Sequence, residues 1–244
     1  MVMPNKYFLT FGGPTPNYHR AVARICKQAQ NANMFDIIIG LTESHLKMEP
    51  LFWKTHGKFL ESNKRGYGYW LWKPYIIMRQ LEQMNDNDIL VYADAGCAIN
   101  ANEASRNRMR GYIEMVNDSE YGILSFQMGY AENTYTKADI LEHLNYKEND
   151  GQLVGGIFVL RKCKHVIDMV KLWYDTCCNY DLINDTPSKI PNAIGFIDNR
   201  HDQSVWSVIR KQFGSIILED ETYFSNWHTD GHKYPIWAVR NTQS

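Results

Sequence analysis

The sequence lacks the cysteine spacings that hold zinc or serve as redox pairs. There is no C-x-x-C, and the five cysteines (Cys26, Cys97, Cys163, Cys177, Cys178) are odd in number and scattered. Thiols distributed in this way suit a reducing compartment, so neither a disulfide framework nor cysteine chemistry is expected. An excess of charge of either sign is also missing, with 26 Lys plus Arg against 27 Asp plus Glu. No net field draws in nucleic acid or an anionic membrane, and neither is an expected partner. Long hydrophobic runs are absent as well. "MVMPNKYFLTFGG" has no apolar core long enough for a signal peptide, and no stretch approaches the ~18 residues of a membrane span. The expected location is the cytoplasm. Three catalytic signatures are missing too. There is no G-x-x-x-x-G-K-[ST], the first strand ends in "FGGPTP" rather than G-x-G-x-x-G, and no G-x-S-x-G occurs. These absences argue against an NTPase, a classical dinucleotide enzyme and the commonest α/β hydrolase.

What is present is an alternation of strand and helix patterns over 244 residues, a length that suits one α/β domain. "KYFLTFG" (6–12) and "FDIIIGLT" (35–42) have the composition of buried strands. Between them, "YHRAVARICKQA" puts Ala21, Val22, Ile25 and Ala29 at helical spacing. "KPYIIMRQLEQM" predicts a helix with Pro74 in its first turn, "NDNDILVYADAG" a third strand, "NEASRNRMRGYIEMVND" a helix and "YGILSF" a strand. "TKADILEHL" predicts a helix opened by Thr136, with Asp139 completing an acidic capping box. "QLVGGIFVLRK" reads as one strand, "CKHVIDMVKLWYDTCCNY" as a long helix, "RHDQSVWSVIRKQF" as a helix and "SIILEDE" as a last strand before an aromatic tail. The prolines of "DLINDTPSKIPNAIGF" (181–196) predict a long surface loop of the kind that serves as a lid. Such alternation implies a mostly parallel central sheet flanked by helices, with ligands bound beyond the carboxyl ends of the strands. Aromatics make up 13% of the chain, and many fall in polar loops, where flat rings beside hydrogen-bonding groups accept sugars or bases.

Four features fall at strand ends or in loops on one edge of this sheet. Asp94 closes the apolar strand "ILVYA" and is followed by the small residues Ala95 and Gly96. It is either a turn residue or an oxygen donor for a hard cation, with room for phosphates beside it. Gly155 and Gly156 mark either a simple bulge or a place where a ligand approaches the backbone. His201 and Asp202 open a helix, and Asp202 is either its N-cap or a general base on a hydroxyl nucleophile. In the tail, His228 and Lys233 flank Gly231, giving an imidazole able to ligate a metal and a cation able to neutralise phosphate, or else a solvated polar segment.

"GYGYWLWKPYIIMRQL", "DILVYADAGCAIN", "GGIFVLRK" and "RHDQSVWS" together resemble the GT-A-fold nucleotide-sugar glycosyltransferases. The likeness is to the small enzymes of large algal viruses and their bacterial relatives, and it runs from about residue 6 to 237. It implies a nucleotide-binding half over about 1–100 and an acceptor and catalytic half over about 101–244. In that fold a D-x-D motif holds Mn²⁺ or Mg²⁺ against the donor diphosphate. Asp94-Ala95-Gly96 matches it with Gly96 in place of the second aspartate. The tail is similar to the H-x-x-G-x-x-K-P-W element of glycogenin-like enzymes, one residue shorter here, which makes His228 the second metal ligand and Lys233 a diphosphate contact. By the same resemblance Thr10, Phe11, Gly12 and Tyr18 line the nucleoside site, and Lys73 reaches a phosphate or the ribose. Gly155 and Gly156 border the sugar, and Asp202 faces the acceptor. The implied activity is metal-dependent transfer of a hexose from a UDP-sugar, UDP-glucose or similar, to a glycan or glycoprotein hydroxyl, in the host cytoplasm if the source is viral. A sugar-1-phosphate nucleotidyltransferase and a non-catalytic glycan-binding module are the alternatives.

Overall fold

The computed structural model describes residues 4–239; the first three residues of the N-terminal segment lie outside them. The opening βαβ unit is β1 (Lys6–Gly12), α1 (Pro16–Ala32) and β2 (Ile37–Thr42). Thr15 caps α1 through its side chain, Pro16 occupies the first turn, and Ala21, Val22, Ile25 and Ala29 form the buried stripe that the spacing predicts. Two helices that the sequence pattern did not announce follow, α2 (Glu43–Lys47) and α3 (Pro50–Ser62). Then comes α4 (Gly66–Tyr69), a single turn in which Gly66, Tyr67, Gly68, Tyr69 and the following Trp70 all have positive φ. Left-handed backbone is costly for tyrosine and tryptophan. Here the turn buries Tyr67 and Tyr69 and is tied by Gly68 N–H to the Asn63 carbonyl and by the Trp72 indole to the Gly66 carbonyl. Its effect is to reverse the chain so that α5 (Trp72–Gln83) begins beside the sheet edge and leads into β3 (Ile89–Ala93).

The second half contains β4 (Ala98–Ile99), α6 (Glu103–Asp118), β5 (Ile123–Ala131), α7 (Ala138–His143), β6 (Gly151–Leu153), β7 (Ile157–Arg161) and α8 (Lys164–Cys177). It closes with α9 (Tyr180–Ile183), α10 (Asp202–Phe213), β8 (Ile216–Glu219) and β9 (Ile236–Trp237). The expected α/β layering is present, a central seven-stranded sheet between helices. β1 pairs in parallel with β2 and β3, and β8 pairs in parallel with β5. β7 runs antiparallel to β3 and β5, and β6 antiparallel to β5. β4 and β9 form a separate two-stranded ribbon.

Three local expectations are corrected. The segment read as one strand, "QLVGGIFVLRK", divides into β6 and β7 at Val154, Gly155 and Gly156. The proposed capping box of α7 does not form. Lys137 precedes the helix, the Thr136 hydroxyl donates to Glu132, and Asp139 accepts the backbone N–H groups of Lys189 and Ile190, tying down the 184–200 loop. That loop is also shorter at its start than expected, because 181–183 belong to α9.

The core lies on both faces of the sheet. Along β3 the side chains alternate: Leu90 and Tyr92 join the cluster formed with α3, α5, α8 and α10, while Ile89, Val91 and Ala93 join the cluster under α1 and α6. The period of two places Asp94 on the Tyr92 side, toward α5 and α10. On that side Trp173 of α8 stacks on Trp206 of α10 at 4.5 Å, both fully buried, and the Trp173 indole N–H donates to the Asp202 carbonyl at 3.0 Å. Trp173→Ala is therefore expected to cost about 3–5 kcal/mol, read as a shift of the urea midpoint. A loss below about 1 kcal/mol would show that the α8–α10 seam is not a main support.

Candidate active site

The sheet register brings three strand ends to one rim. β1 and β3 are parallel and end there at Gly12 and Asp94, while the start of the antiparallel β7 supplies Gly155 and Gly156 through the Asp94 N–H to Gly156 carbonyl bond, 2.9 Å. α5 and α10 both begin at the same rim. At its centre the Lys73 ammonium, 3% exposed, lies 3.1 Å from Asp94 Oδ1, 3.4 Å from Asp202 Oδ2 and 3.2 Å from the Gly155 carbonyl. The Tyr92 hydroxyl donates to the same Asp94 Oδ1 at 2.7 Å. Lys73, expected at a phosphate or ribose, is thus placed between the two carboxylates that sequence analysis singled out.

Charge balance in this cluster sets its proton affinities. Burial pushes the Asp202 carboxyl up from the ordinary carboxylate range, Lys73 pulls it down and Asp94 pushes it up again; the balance is about 7. Burial alone would lower Lys73, but Asp202 and Asp94 outweigh it and hold the ammonium above the usual lysine value. Asp202 Oδ2 is buried, has no aligned hydrogen bond, and depends on the ammonium for compensation. Asp202 is also not an N-cap: the helix starts with it, and the preceding His201 takes the cap position at φ 56° without a capping hydrogen bond. His201 is buried, stacks on Tyr69 at 5.1 Å and contacts Asp185 through Nε2 at 2.9 Å. Burial lowers its pKa despite that carboxylate.

The other expected residues fall as follows. Thr10 is buried with its hydroxyl unpartnered, Phe11 is buried and stacked on Trp72 at 3.9 Å, and Tyr18 is 43% exposed beside Gly12. A Cβ on Gly12 would meet the Tyr18 carbonyl at 2.7 Å, which explains glycine there by close packing of α1 on β1. The Ala95 carbonyl accepts from Arg24, fixing the Asp94-Ala95-Gly96 loop. A Cβ on Gly156 would come within 2.6 Å of Asp94 Oδ2, so only glycine leaves that carboxylate in place. The tail returns to this loop through the β4–β9 ribbon, where Ala98 pairs with Trp237. His228 is exposed with its ring 6.2 Å from Trp237, and the Lys233 ammonium lies 5.2 Å from the Tyr234 ring. Gln203 has no role that the sequence motif announces; its side chain accepts the Gly155 N–H and donates to Gln152. Tyr92, also unassigned, was findable as the residue two before Asp94 on the same face of the strand.

A hard divalent cation needs several oxygen ligands. Both side-chain contacts to Asp94 use Oδ1, so Oδ2 is the carboxylate oxygen left for a cation, and Gly96 has no side-chain oxygen to add. Among the described residues no group of three or more His, Cys, Asp and Glu is close enough to hold a metal. One protein oxygen fits an ion that arrives with an anionic ligand and keeps its waters, the usual habit of Mg²⁺. It does not fit a permanently resident ion.

No protein-family model matches the sequence, and a search of curated proteins returns no match. Solved structures do match. A glycosyltransferase involved in the glycosylation of the major capsid of PBCV-1 superposes with a TM-score of 0.54 at 11% identity, over 96% of this chain and 93% of that one. The chain has the GT-A glycosyltransferase fold. Mouse xyloside xylosyltransferase 1 (TM-score 0.46, 10% identity, 96% of this chain and 97% of that one) and the galactosyltransferase LgtC (0.45, 11%, 97% and 82%) also align along nearly the whole chain.

The buried ion cluster on this GT-A rim makes a stability prediction. Folded Asp202 keeps its proton up to about pH 7, whereas an unfolded aspartate titrates near ~3.9. The folded state therefore binds more protons across that window, and this group's contribution turns against folding as pH rises through it. Without the ammonium the penalty grows. Lys73→Met should cost about 3–5 kcal/mol at pH 8 and clearly less at pH 5, measured by urea denaturation. Equal losses at both pH values would show that Lys73 does not balance a titrating Asp202.

Proposed function

We propose that the protein is a glycosyltransferase that moves a hexose from a UDP-sugar, UDP-glucose or a similar UDP-hexose, to a hydroxyl of a glycan or glycoprotein. The observation that carries this is the Lys73-bridged pair of carboxylates, Asp94 and Asp202, at the carboxyl rim of the sheet. The GT-A fold supports it, because that rim is where an open α/β sheet takes its ligand. Asp94 Oδ2 would hold a Mg²⁺ or Mn²⁺ ion brought with the nucleotide, with His228 of the returning tail as the second ligand. Such an ion, when bound, neutralises charge on a diphosphate.

The chain's own residues do the rest. Tyr18 offers an exposed ring to the nucleoside beside Thr10, Phe11 and Gly12, with Phe11 backed by Trp72. Ala95, Gly96, Gly155 and Gly156 let the diphosphate and sugar approach the backbone. Lys233 adds a cation for the leaving phosphate. In transfer, the acceptor oxygen bonds to the anomeric carbon as the bond from that carbon to the diphosphate oxygen breaks, and the acceptor proton must go elsewhere. A carboxylate whose proton affinity lies near neutrality is suited to take it, which is the role given to Asp202. Lys73 keeps the buried Asp202 and the partly exposed Asp94 together, and on the Asp202 side, where water is excluded, electrostatic contacts count most.

The direct experiment is a panel of nucleotide sugars with and without Mn²⁺, scored for UDP release, with NMR of the product's anomeric centre. One UDP-hexose is expected to be consumed in a metal-stimulated reaction. Pyrophosphate release from UTP and a sugar 1-phosphate would replace this reading with a nucleotidyltransferase, and glycan binding without donor consumption would replace it with a binding module. With the active donor, kcat/KM should rise with pH through an apparent pKa near ~7. Asp202→Asn should remove that limb and lower transfer about 10²- to 10⁴-fold while UDP affinity stays near wild type. Transfer that survives the substitution rules out Asp202 as the base. Asp94→Asn should weaken Mn²⁺-dependent UDP binding, and an unchanged metal response would return Asp94 to a turn residue.

A further inference from the structure

The Asp202 rim continues into a surface that the ion cluster leaves unused. β5 carries Tyr130, 51% exposed, and one 3-10 turn later the chain presents Tyr135. The two rings meet edge to face at 5.4 Å, and the Arg200 guanidinium lies 3.8 Å over Tyr135 and 5.4 Å from Tyr130. This group is fixed to the start of α10. The Arg200 N–H and the Ser204 hydroxyl both donate to the Tyr135 carbonyl, at 3.0 and 2.7 Å, and the Ile197 N–H donates to the Thr134 carbonyl at 2.9 Å. Beneath it the fully buried Glu132 carboxylate accepts from Thr136, Gln152 and Ser207 and pairs with Lys211. A buried carboxylate compensated on every side holds its surroundings in one arrangement. Gln152 then takes Gln203 at 2.9 Å, and Gln203 reaches the Gly155 N–H at 3.1 Å, so hydrogen bonds run unbroken from the Arg200 shelf to the Asp202 rim.

We propose that Tyr130, framed by Tyr135 and Arg200, is the stacking platform for the pyranose ring of the acceptor. This rests on the transfer reading, and it narrows the acceptor to a hydroxyl on a pyranose sugar. A pyranose presents a face of C–H groups ringed by hydroxyls, and a rigid exposed tyrosine beside polar groups matches that pattern. Position supports an acceptor over a donor: the platform adjoins Asp202 and β5, on the far side of β3 and β7 from the β1–β2 end where the nucleoside is placed.

Two measurements test the platform. Saturation-transfer NMR with methyl gluco-, galacto-, manno- and xylopyranosides should show magnetisation passing to the C–H protons of one ring face of at least one probe. The effect should vanish in Tyr130→Ala and persist in Tyr130→Phe, since stacking needs the face and not the hydroxyl. In transfer assays with a saccharide acceptor, Tyr130→Ala should raise acceptor KM about tenfold, the order of one lost ring contact. Its UDP affinity and thermal midpoint should be unchanged, because the ring is half exposed. Failure of every pyranoside to bind wild type, or an alanine variant with wild-type saturation and acceptor KM, overturns the platform. Pyranoside binding through Tyr130 in a protein that consumes no UDP-sugar would support the platform as a sugar site while overturning the transfer reading.

Discussion

A single buried ammonium, Lys73, holds the rim together. Two carboxylates from distant parts of the chain, Asp94 at the end of β3 and Asp202 at the start of α10, approach the same point from opposite sides. Without that cation the buried Asp202 would hold its proton still more tightly or move, since an uncompensated charge in a buried setting is far costlier than a paired one. The left-handed turn at 66–70 serves the same end: its strained backbone starts α5 where Lys73 reaches both carboxylates.

The cluster also explains why glycines and small residues crowd this rim. Gly156 leaves no room for a Cβ beside Asp94, and the Gly155 carbonyl is the third partner of the ammonium. The break between β6 and β7 at these residues is what turns a carbonyl toward Lys73 instead of into the sheet ladder. Behind the rim, the Trp173–Trp206 stack and the indole bond to the Asp202 carbonyl carry core rigidity to the helix start. Packing and electrostatics are therefore coupled at Asp202. Its side chain is held by a charge and its backbone by the core.

A second buried acid, Glu132, supports the neighbouring surface by different means. It is met by hydroxyl, amide and ammonium donors from the loop before α7, from β6 and from α10, and it anchors the turn that carries Tyr135 and, through Gln152, the side chain of Gln203. One rim thus has two buried acids with opposite circumstances. Glu132 is hydrogen-bonded on both oxygens, while Asp202 has one oxygen without an aligned donor. Burial with one oxygen lacking an aligned donor goes with the raised proton affinity of Asp202, near neutrality.

Local periodicity was enough to predict β1, α1, β2, α5, β3, α6, α8 and α10, because burial of one face leaves a repeat of 2 or 3.6 in the residues themselves. It also marked Asp94, Gly155, Gly156 and Asp202, since strand ends and helix starts have local signatures. It did not reveal the antiparallel placement of β7, which depends on which strand lies beside which. The pairing of Asp139 with the 184–200 loop in place of a helix cap was equally hidden, because a carboxylate is indifferent to whether its N–H donors are three residues away or fifty. Above all, Lys73 was legible as a cation near the site but not as the bridge between two carboxylates. The sequence determined which groups stand at the rim; only the tertiary structure decided their partners, because the field at a buried charge is set by whatever the fold brings within a few ångströms of it.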